Sequence, residues 1–122
     1  MTHKVLVIPA IDDQMEVDAG RRPENHFLRE FQTAEEASHY CDGVGAVYDL
    51  VEYEIRKETP LTLDLRIGGE KSHLKFKTTA ERDAYKQGLE DGDGFRAPRV
   101  ITQDDAEFDE VLALIEPPTP KT

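Results

Sequence analysis

The sequence has one cysteine, Cys41, and no tryptophan. A lone cysteine excludes an intrachain disulfide and is typical of a reducing compartment. Long hydrophobic runs are also missing, since the apolar stretch at residues 5–8 is too short for a signal-peptide core or a membrane span. We therefore expect a cytoplasmic protein with no targeting segment and no membrane contact.

Positive charge is scarce as well: 15 Lys and Arg face 26 Asp and Glu, for a net charge of −11. Phosphate contacts need clustered Lys and Arg, so this balance argues against direct binding to nucleic acid or anionic lipid. Three explanations remain for the acidity, namely solubility alone, a basic protein partner, or mimicry of nucleic acid. A solvated acidic surface is the simplest of the three.

The length of 122 residues is that of one ordinary domain, and the apolar fraction of 38% is enough to build a hydrophobic core. An internal repeat gives this domain its expected organisation. Residues 31–44 read FQTAEEASHYCDGV and residues 76–89 read FKTTAERDAYKQGL. The identical pairs are Phe31 and Phe76, Thr33 and Thr78, Glu36 and Glu81, Tyr40 and Tyr85, and Gly43 and Gly88.

Each repeated residue has a structural role in a strand-then-helix unit. The phenylalanine ends an alternating strand, and Thr-x-x-Glu predicts a capping box at the start of a helix. The tyrosine lies on the apolar face of that helix, and the glycine predicts its end in a left-handed conformation. The repeat therefore predicts shape rather than chemistry.

Further strands surround both copies. Residues 4–11 are apolar on both faces and predict a central strand. Residues 61–67 alternate strictly, and Gly68-Gly69 then predicts a tight hairpin. Residues 47–57 and 99–102 predict strands after the two helices. The unit β-β-α-β thus occurs twice, in repeat one at about 3–57 and repeat two at about 60–102.

We expect an α+β fold in which this internal duplication forms one mixed or antiparallel sheet of about six strands, with helices packed mainly on one face and a pseudo-twofold axis between the copies. A C-terminal helix at about 104–116 completes a single domain over residues 1–116. Pro117-Pro118 ends that helix, and residues 117–122 are predicted to be a disordered tail.

Patterns that carry chemistry are missing from the sequence. It has no metal-binding spacing of His and Cys, no nucleophile elbow and no phosphate loop. The DGDG segment at 91–94 lacks the remaining ligands of a calcium loop. Cys41 lies on the predicted apolar helix face, where burial lowers thiol reactivity. We predict no catalytic residue, metal or cofactor, and a non-enzymatic protein is favoured over an enzyme.

Two regions in which the copies differ are the candidate interaction sites. One is the long connection 12–25, which long-loop statistics mark as functional or disordered, and the other is the acidic C-terminal third. The candidate residues are Asp12, Asp13, Arg21, Arg22, Asp91, Asp93, Asp105, Asp109 and Glu110.

The leading hypothesis is a protein-interaction or regulatory module with a protein partner, basic in character. One alternative is a nucleic-acid mimic that inhibits a basic DNA- or RNA-binding protein. Another is a small-molecule-binding protein or enzyme that uses the 12–25 loop, with a deep pocket lined by Arg21, Arg22, Tyr40 or Tyr85. The oligomeric state stays open, since the short strand at 99–102 can pair across a dimer or be covered.

Overall fold

A computed structural model describes residues 2–116, which form an α+β fold as expected. The strands are β1 (His3–Ile8), β2 (Phe27–Phe31), β3 (Tyr53–Thr59), β4 (Thr62–Ile67), β5 (Glu70–Lys75) and β6 (Arg99–Thr102). The helices are α1 (Ile11–Asp18), α2 (Ala34–Ala46), α3 (Thr79–Gly92) and α4 (Phe108–Ile115). The predicted stop at Pro117-Pro118 and the predicted tail lie outside the described residues.

The six strands form two sheets, so the prediction of one sheet is wrong. The first sheet has the order β2-β1-β6 and the second has the order β3-β4-β5, and all pairings are antiparallel. The helices α2 and α3 pack against each other, and each sheet buries one face on this pair. Periodicity identifies a strand but does not say which other strand it pairs with, and this is why the sequence led to a single sheet.

The central strand β1 is buried on both faces, as its apolar run predicts, but it ends at Ile8 rather than at residue 11, where α1 begins. Val5 and Val7 face α2 in the cluster that contains Tyr40, whereas Leu6 and Ile8 face α1 and α4. The molecule therefore has four layers: α1 with α4, the first sheet, α2 with α3, and the second sheet. The outer side of the second sheet has no layer of the described chain on it.

Each sheet combines strands from both halves of the chain. β3 follows α2 but pairs with β4, and β6 follows α3 but pairs with β1. In each sheet the central strand belongs to an antiparallel pair from one half, and the third strand comes from the other half. The two halves therefore complete one another's sheets.

The two repeated glycines do not end their helices, and that prediction is wrong. Gly43 lies inside α2 and Gly88 lies inside α3, and both are buried where the two helices cross. A helix interior normally disfavours glycine, but a missing side chain lets two backbones approach closely. These positions require glycine because the two helices lie close together there, and not because a helix ends in a left-handed turn.

Other boundaries also shift. The 12–25 connection is not a continuous loop, because α1 occupies its first half, and the strand predicted at 47–57 begins only at Tyr53. The last helix begins at Phe108 rather than near 104. There the Asp105 carboxylate accepts a hydrogen bond from the Thr102 amide at 2.8 Å, and the Asp105 carbonyl accepts one from the Phe108 amide. These bonds hold residues 102–108 in a turn before the helix.

Candidate interaction surfaces

One candidate surface is the layer formed by α1 and α4, which we call the α1–α4 layer. Val17 anchors α1, and Phe108, Val111 and Ile115 anchor α4, all in the cluster beneath the first sheet. The opposite side of α1 faces solvent and carries Ile11 and Met15, which are 50% and 63% exposed. These two residues are four apart, so they lie on the same side of the helix and form a small apolar ridge.

The predicted interaction residues around α1 differ in whether they are accessible to a partner or already bonded within the fold. Asp12 and Arg22 are exposed. Asp13 is buried, and its carboxylate accepts a hydrogen bond from the Glu24 amide at 2.9 Å, which ties the following loop to α1. Arg21 donates two hydrogen bonds to the Glu16 carboxylate, at 2.7 and 3.1 Å. Asp13 therefore has a structural role, and Asp12 and Arg22 remain accessible to a partner.

Around α4, Asp105, Asp109 and Glu110 are all exposed, and the Asp105 carboxylate also holds the turn described above. Arg99 at the start of β6 joins this region to α1. It donates to Asp18 at 2.8 Å and also pairs with Glu107. The accessible carboxylates of the layer therefore include Asp12, Asp109 and Glu110, which the fold brings to the same side of the first sheet from distant parts of the sequence.

Asp91 is not a surface residue, and its assignment to an acidic turn is corrected. It lies in the last turn of α3 and is 3% exposed. Its carboxylate accepts two hydrogen bonds from Arg29, both at 2.8 Å, and one each from Tyr40 at 2.5 Å and Gln87 at 2.9 Å. Asp93, by contrast, is exposed at the C-cap of α3. α3 runs to Gly92, and its inward side therefore includes Asp91.

This buried cluster ties β2, α2 and α3 together. The hydrogen bonds that Arg29 donates to Asp91 raise the pKa of Arg29, and burial, followed by the hydrogen bond to Asp91, raises the pKa of Tyr40. Both shifts favour a charged Arg29 and a neutral Tyr40. The buried Asp91 charge is paired with Arg29, whose side chain is 35% exposed, so the cluster supports the fold.

A second surface was missed by the sequence reasoning. It is the outward side of the second sheet, which we call the basic face. The strand register places Arg66 opposite Glu54 and Lys71, and Asp64 opposite Lys57 and His73. The Lys and Arg residues of this face are Arg56, Lys57, Arg66, Lys71 and Lys75, and all five are exposed.

The signal for this face was present in the sequence. The alternation that buries Leu63 and Leu65 sends Arg66 to the other side of the sheet, and the same alternation along 70–75 sends Lys71 and Lys75 there. To see that these cations share one face, one must know how the three strands pair, and the sequence did not supply that register. The net charge of the whole chain is negative, and it gives no indication of this local excess of cations.

The largest cleft among those identified has a volume of about 540 Å³ and lies between β1, α2 and the 102–104 turn. It includes Cys41, whose pKa is raised to about 11 by burial and by the charges of Asp42 and Asp105. A thiol in this state is a poor nucleophile at neutral pH. Tyr40 and Tyr85, which the small-molecule hypothesis places at a pocket, are buried in the core instead.

Residues 2–116 are the part of the chain that the structure describes. No group of three or more His, Cys, Asp or Glu in this range is placed to hold a metal ion. None of the helices in the same range combines the length and apolar character needed to cross a membrane.

Comparison of the chain with protein-family models, with curated proteins and with solved structures finds no match.

Proposed function

We propose that the protein is a non-enzymatic interaction or regulatory module that acts in the cytoplasm and binds a basic protein through the α1–α4 layer. The observation that carries this proposal is the apolar ridge of Ile11 and Met15 beside accessible carboxylates. Apolar side chains surrounded by polar residues are the usual anatomy of a protein-binding patch.

The charges of the layer define the kind of partner. Asp12 follows Ile11 directly, and Asp109 and Glu110 lie on the exposed side of α4. Complementary charge around an apolar contact increases the association rate and rejects acidic proteins. A partner with an apolar side chain set among Lys and Arg fits this arrangement.

The test is affinity capture from lysate, with bound proteins identified by mass spectrometry. The full chain is compared with Ile11→Ser/Met15→Ser and with the control Leu61→Ser, which removes another exposed apolar side chain at a distant hairpin. We expect a basic protein that binds the wild type and the control and is lost from the double variant. Identical captured proteins for all three chains, or an acidic protein lost from the double variant, would contradict the proposal.

The same experiment distinguishes the nucleic-acid mimic. Mimicry predicts that the captured protein is a nucleic-acid-binding enzyme and that duplex DNA displaces it from the chain. Part of the acidity near α4 is already neutralised by Arg99, which contacts Asp18 and Glu107. This pairing favours the interaction module over a continuous row of phosphate-like charges.

We also propose that the fold arose by duplication of a β-β-α-β unit. The strand orders β2-β1-β6 and β5-β4-β3 are equivalent under exchange of the two halves. A β-carbon on Gly43 would meet the Tyr85 carbonyl oxygen, and one on Gly88 would meet the Tyr40 carbonyl oxygen. These reciprocal contacts support the proposal. Homologous sequences test it, because duplication predicts that identity between the halves exceeds that at every other offset.

A further inference from the structure

We propose that the basic face of the second sheet binds the phosphate backbone of double-stranded DNA. This inference is independent of the proposed protein partner, since it concerns the opposite end of the four-layer molecule. It rests on the register of the cations, on the absence of apolar side chains from the face, and on its dimensions.

The cations of the face are exposed and available. Arg66 and Lys71 are direct cross-strand neighbours on β4 and β5, and Arg56 and Lys57 lie side by side at a bulge in β3. Within residues 2–116, none of the five Lys and Arg residues of the face forms an ion pair. The cations elsewhere include Arg29, Arg82 and Arg99, which are committed to carboxylates of the fold.

The composition of the face favours a polyanion over a protein. Its outward positions hold Lys, Arg, Thr, His, Glu and Asp, without an aromatic or aliphatic side chain. The cores of protein–protein interfaces are enriched in aromatic residues and depleted in Lys, whereas protein–DNA interfaces are polar and strongly positive. Binding to a single strand uses aromatic platforms for stacking, and this face has none, so a duplex is favoured.

A comparison between the two sheets supports this reading. The outer side of the first sheet presents Leu6, Ile8 and Ile101, and α1 and α4 cover it. At the corresponding outward positions, the second sheet has charged and hydroxyl side chains, and no described helix or strand covers them. Such a surface is stable in water by itself, so its occupant is attracted by charge rather than by apolar burial.

The dimensions also fit. Three strands spaced about 4.8 Å apart give a backbone about 10 Å across, and the Lys and Arg side chains extend this span, so the face can contact phosphates on both sides of a groove about 12 Å wide without entering it. A hollow of about 450 Å³ on this sheet has a lining that includes Arg56, Lys57, Lys71 and His73 together with Asp64. Phosphates on either side of a groove are within reach of Lys and Arg side chains on such a surface.

Two carboxylates, Glu54 and Asp64, lie at outward positions of the basic face, against its five Lys and Arg residues, so the face keeps an excess of positive charge. The accessible carboxylates of the α1–α4 layer are separated from the basic face by the first sheet and the α2–α3 pair. Packed layers are about 10 Å apart, and the Debye length at physiological ionic strength is about 8 Å, so these charges are largely screened from a ligand on the basic face. The prediction from net charge, no direct contact with nucleic acid, is replaced for this face by salt-sensitive binding.

The experiment measures fluorescence anisotropy of a labelled 20-base-pair duplex with the full chain at 50 and 200 mM salt. Contact with about four phosphates predicts that affinity falls about 100-fold between these two concentrations. We expect Arg66→Gln/Lys71→Gln to weaken binding at least tenfold and to reduce the salt slope by about 2. The control Lys4→Gln/Arg96→Gln has the same net charge but changes residues outside the second sheet, and its affinity should match the wild type.

Three outcomes would overturn the proposal: no binding at 50 mM salt, equal loss in both double variants, or tighter binding to a single strand than to the duplex. Displacement of the duplex by poly-glutamate at equal charge concentration would instead identify an acidic protein as the occupant and would also overturn it. Capture of the basic partner by Arg66→Gln/Lys71→Gln is expected to be unchanged, so failure of this proposal and failure of the protein-interaction proposal are distinguishable.

Discussion

Gly43 and Gly88 lie against each other where α2 crosses α3. A β-carbon on Gly43 would lie 2.2 Å from the Tyr85 carbonyl oxygen, and one on Gly88 would lie 2.2 Å from the Tyr40 carbonyl oxygen. Neither oxygen is able to move without its helix, because both belong to the backbone. The contact therefore sets the distance between the two helices that separate the two sheets.

Substitution of Gly88 tests this contact. We expect Gly88→Ala to lower the free energy of unfolding by about 3 kcal/mol, since the added methyl group forces the helices apart. The matched control is Gly45→Ala in α2, where a β-carbon meets nothing within 4 Å. Because alanine favours the helix, the control should raise stability by about 0.5–1 kcal/mol. Urea denaturation followed by circular dichroism gives both values, and equal effects would refute a close helix crossing.

Asp91 provides a second test. Asp91→Ala leaves the buried Tyr40 hydroxyl and the partly exposed Arg29 guanidinium without their shared acceptor, so we expect a loss of about 2–3 kcal/mol. Asp93→Ala removes an exposed carboxylate two residues away and should change stability by less than about 0.5 kcal/mol. Thermal unfolding of both variants is the measurement. A small effect at Asp91 would mean that the buried pair is replaced by water at no cost.

The two repeated glutamates predict an asymmetry between the copies. Glu36 completes a capping box by accepting from the Thr33 amide, whereas buried Glu81 accepts from the Thr78 hydroxyl and also contacts His39 of α2 at 3.0 Å. We expect Glu36→Ala to cost about 1 kcal/mol and Glu81→Ala about twice that, because the second also breaks a contact between helices. Chemical denaturation of the two variants decides this, and the reverse order would contradict it.

The Cys41 thiol predicts a specific pH dependence. Its pKa is about 11 in the folded chain, against an ordinary value of 9.0, because burial disfavours the thiolate. The folded state thus holds its proton to higher pH than the unfolded state, and stability is lost as pH rises from about 9 to 11.

Alkylation by iodoacetamide measures this directly. At pH 8 the native thiol should react about 100-fold more slowly than the denatured chain, and the rate should rise until about pH 11. Cys41→Ser serves as the control for other reactive groups. A native rate that levels off near pH 9 would show that the thiol is not held in a buried environment.

Local features were predictable because they depend on neighbours in the sequence. Thr33 and Thr78 cap their helices as the Thr-x-x-Glu pattern predicts, although only α2 forms the complete box. The apolar run of β1 predicted a strand buried on both faces. The hairpin at Gly68 and Gly69 forms with positive φ at both residues, as a two-glycine turn requires.

The candidate interaction residues were predicted less well. Asp12, Asp109 and Glu110 are exposed as expected, but Asp13 and Asp91 are buried. In an acidic sequence, the residue type alone does not distinguish a carboxylate that faces water from one that is buried against an arginine. Asp91 has its partner Arg29 at a separation of 62 residues, and no local pattern links the two.

The sequence by itself determined the periodicities, the caps, the α+β class and the chain's excess of negative charge, since each depends on residue type and short spacing. Tertiary structure alone decided that six strands form two sheets, that the repeated glycines face each other, and that five cations share one open face. These depend on which distant segments can bury their apolar sides together. That choice sets the strand register, and the register sets which charges become neighbours.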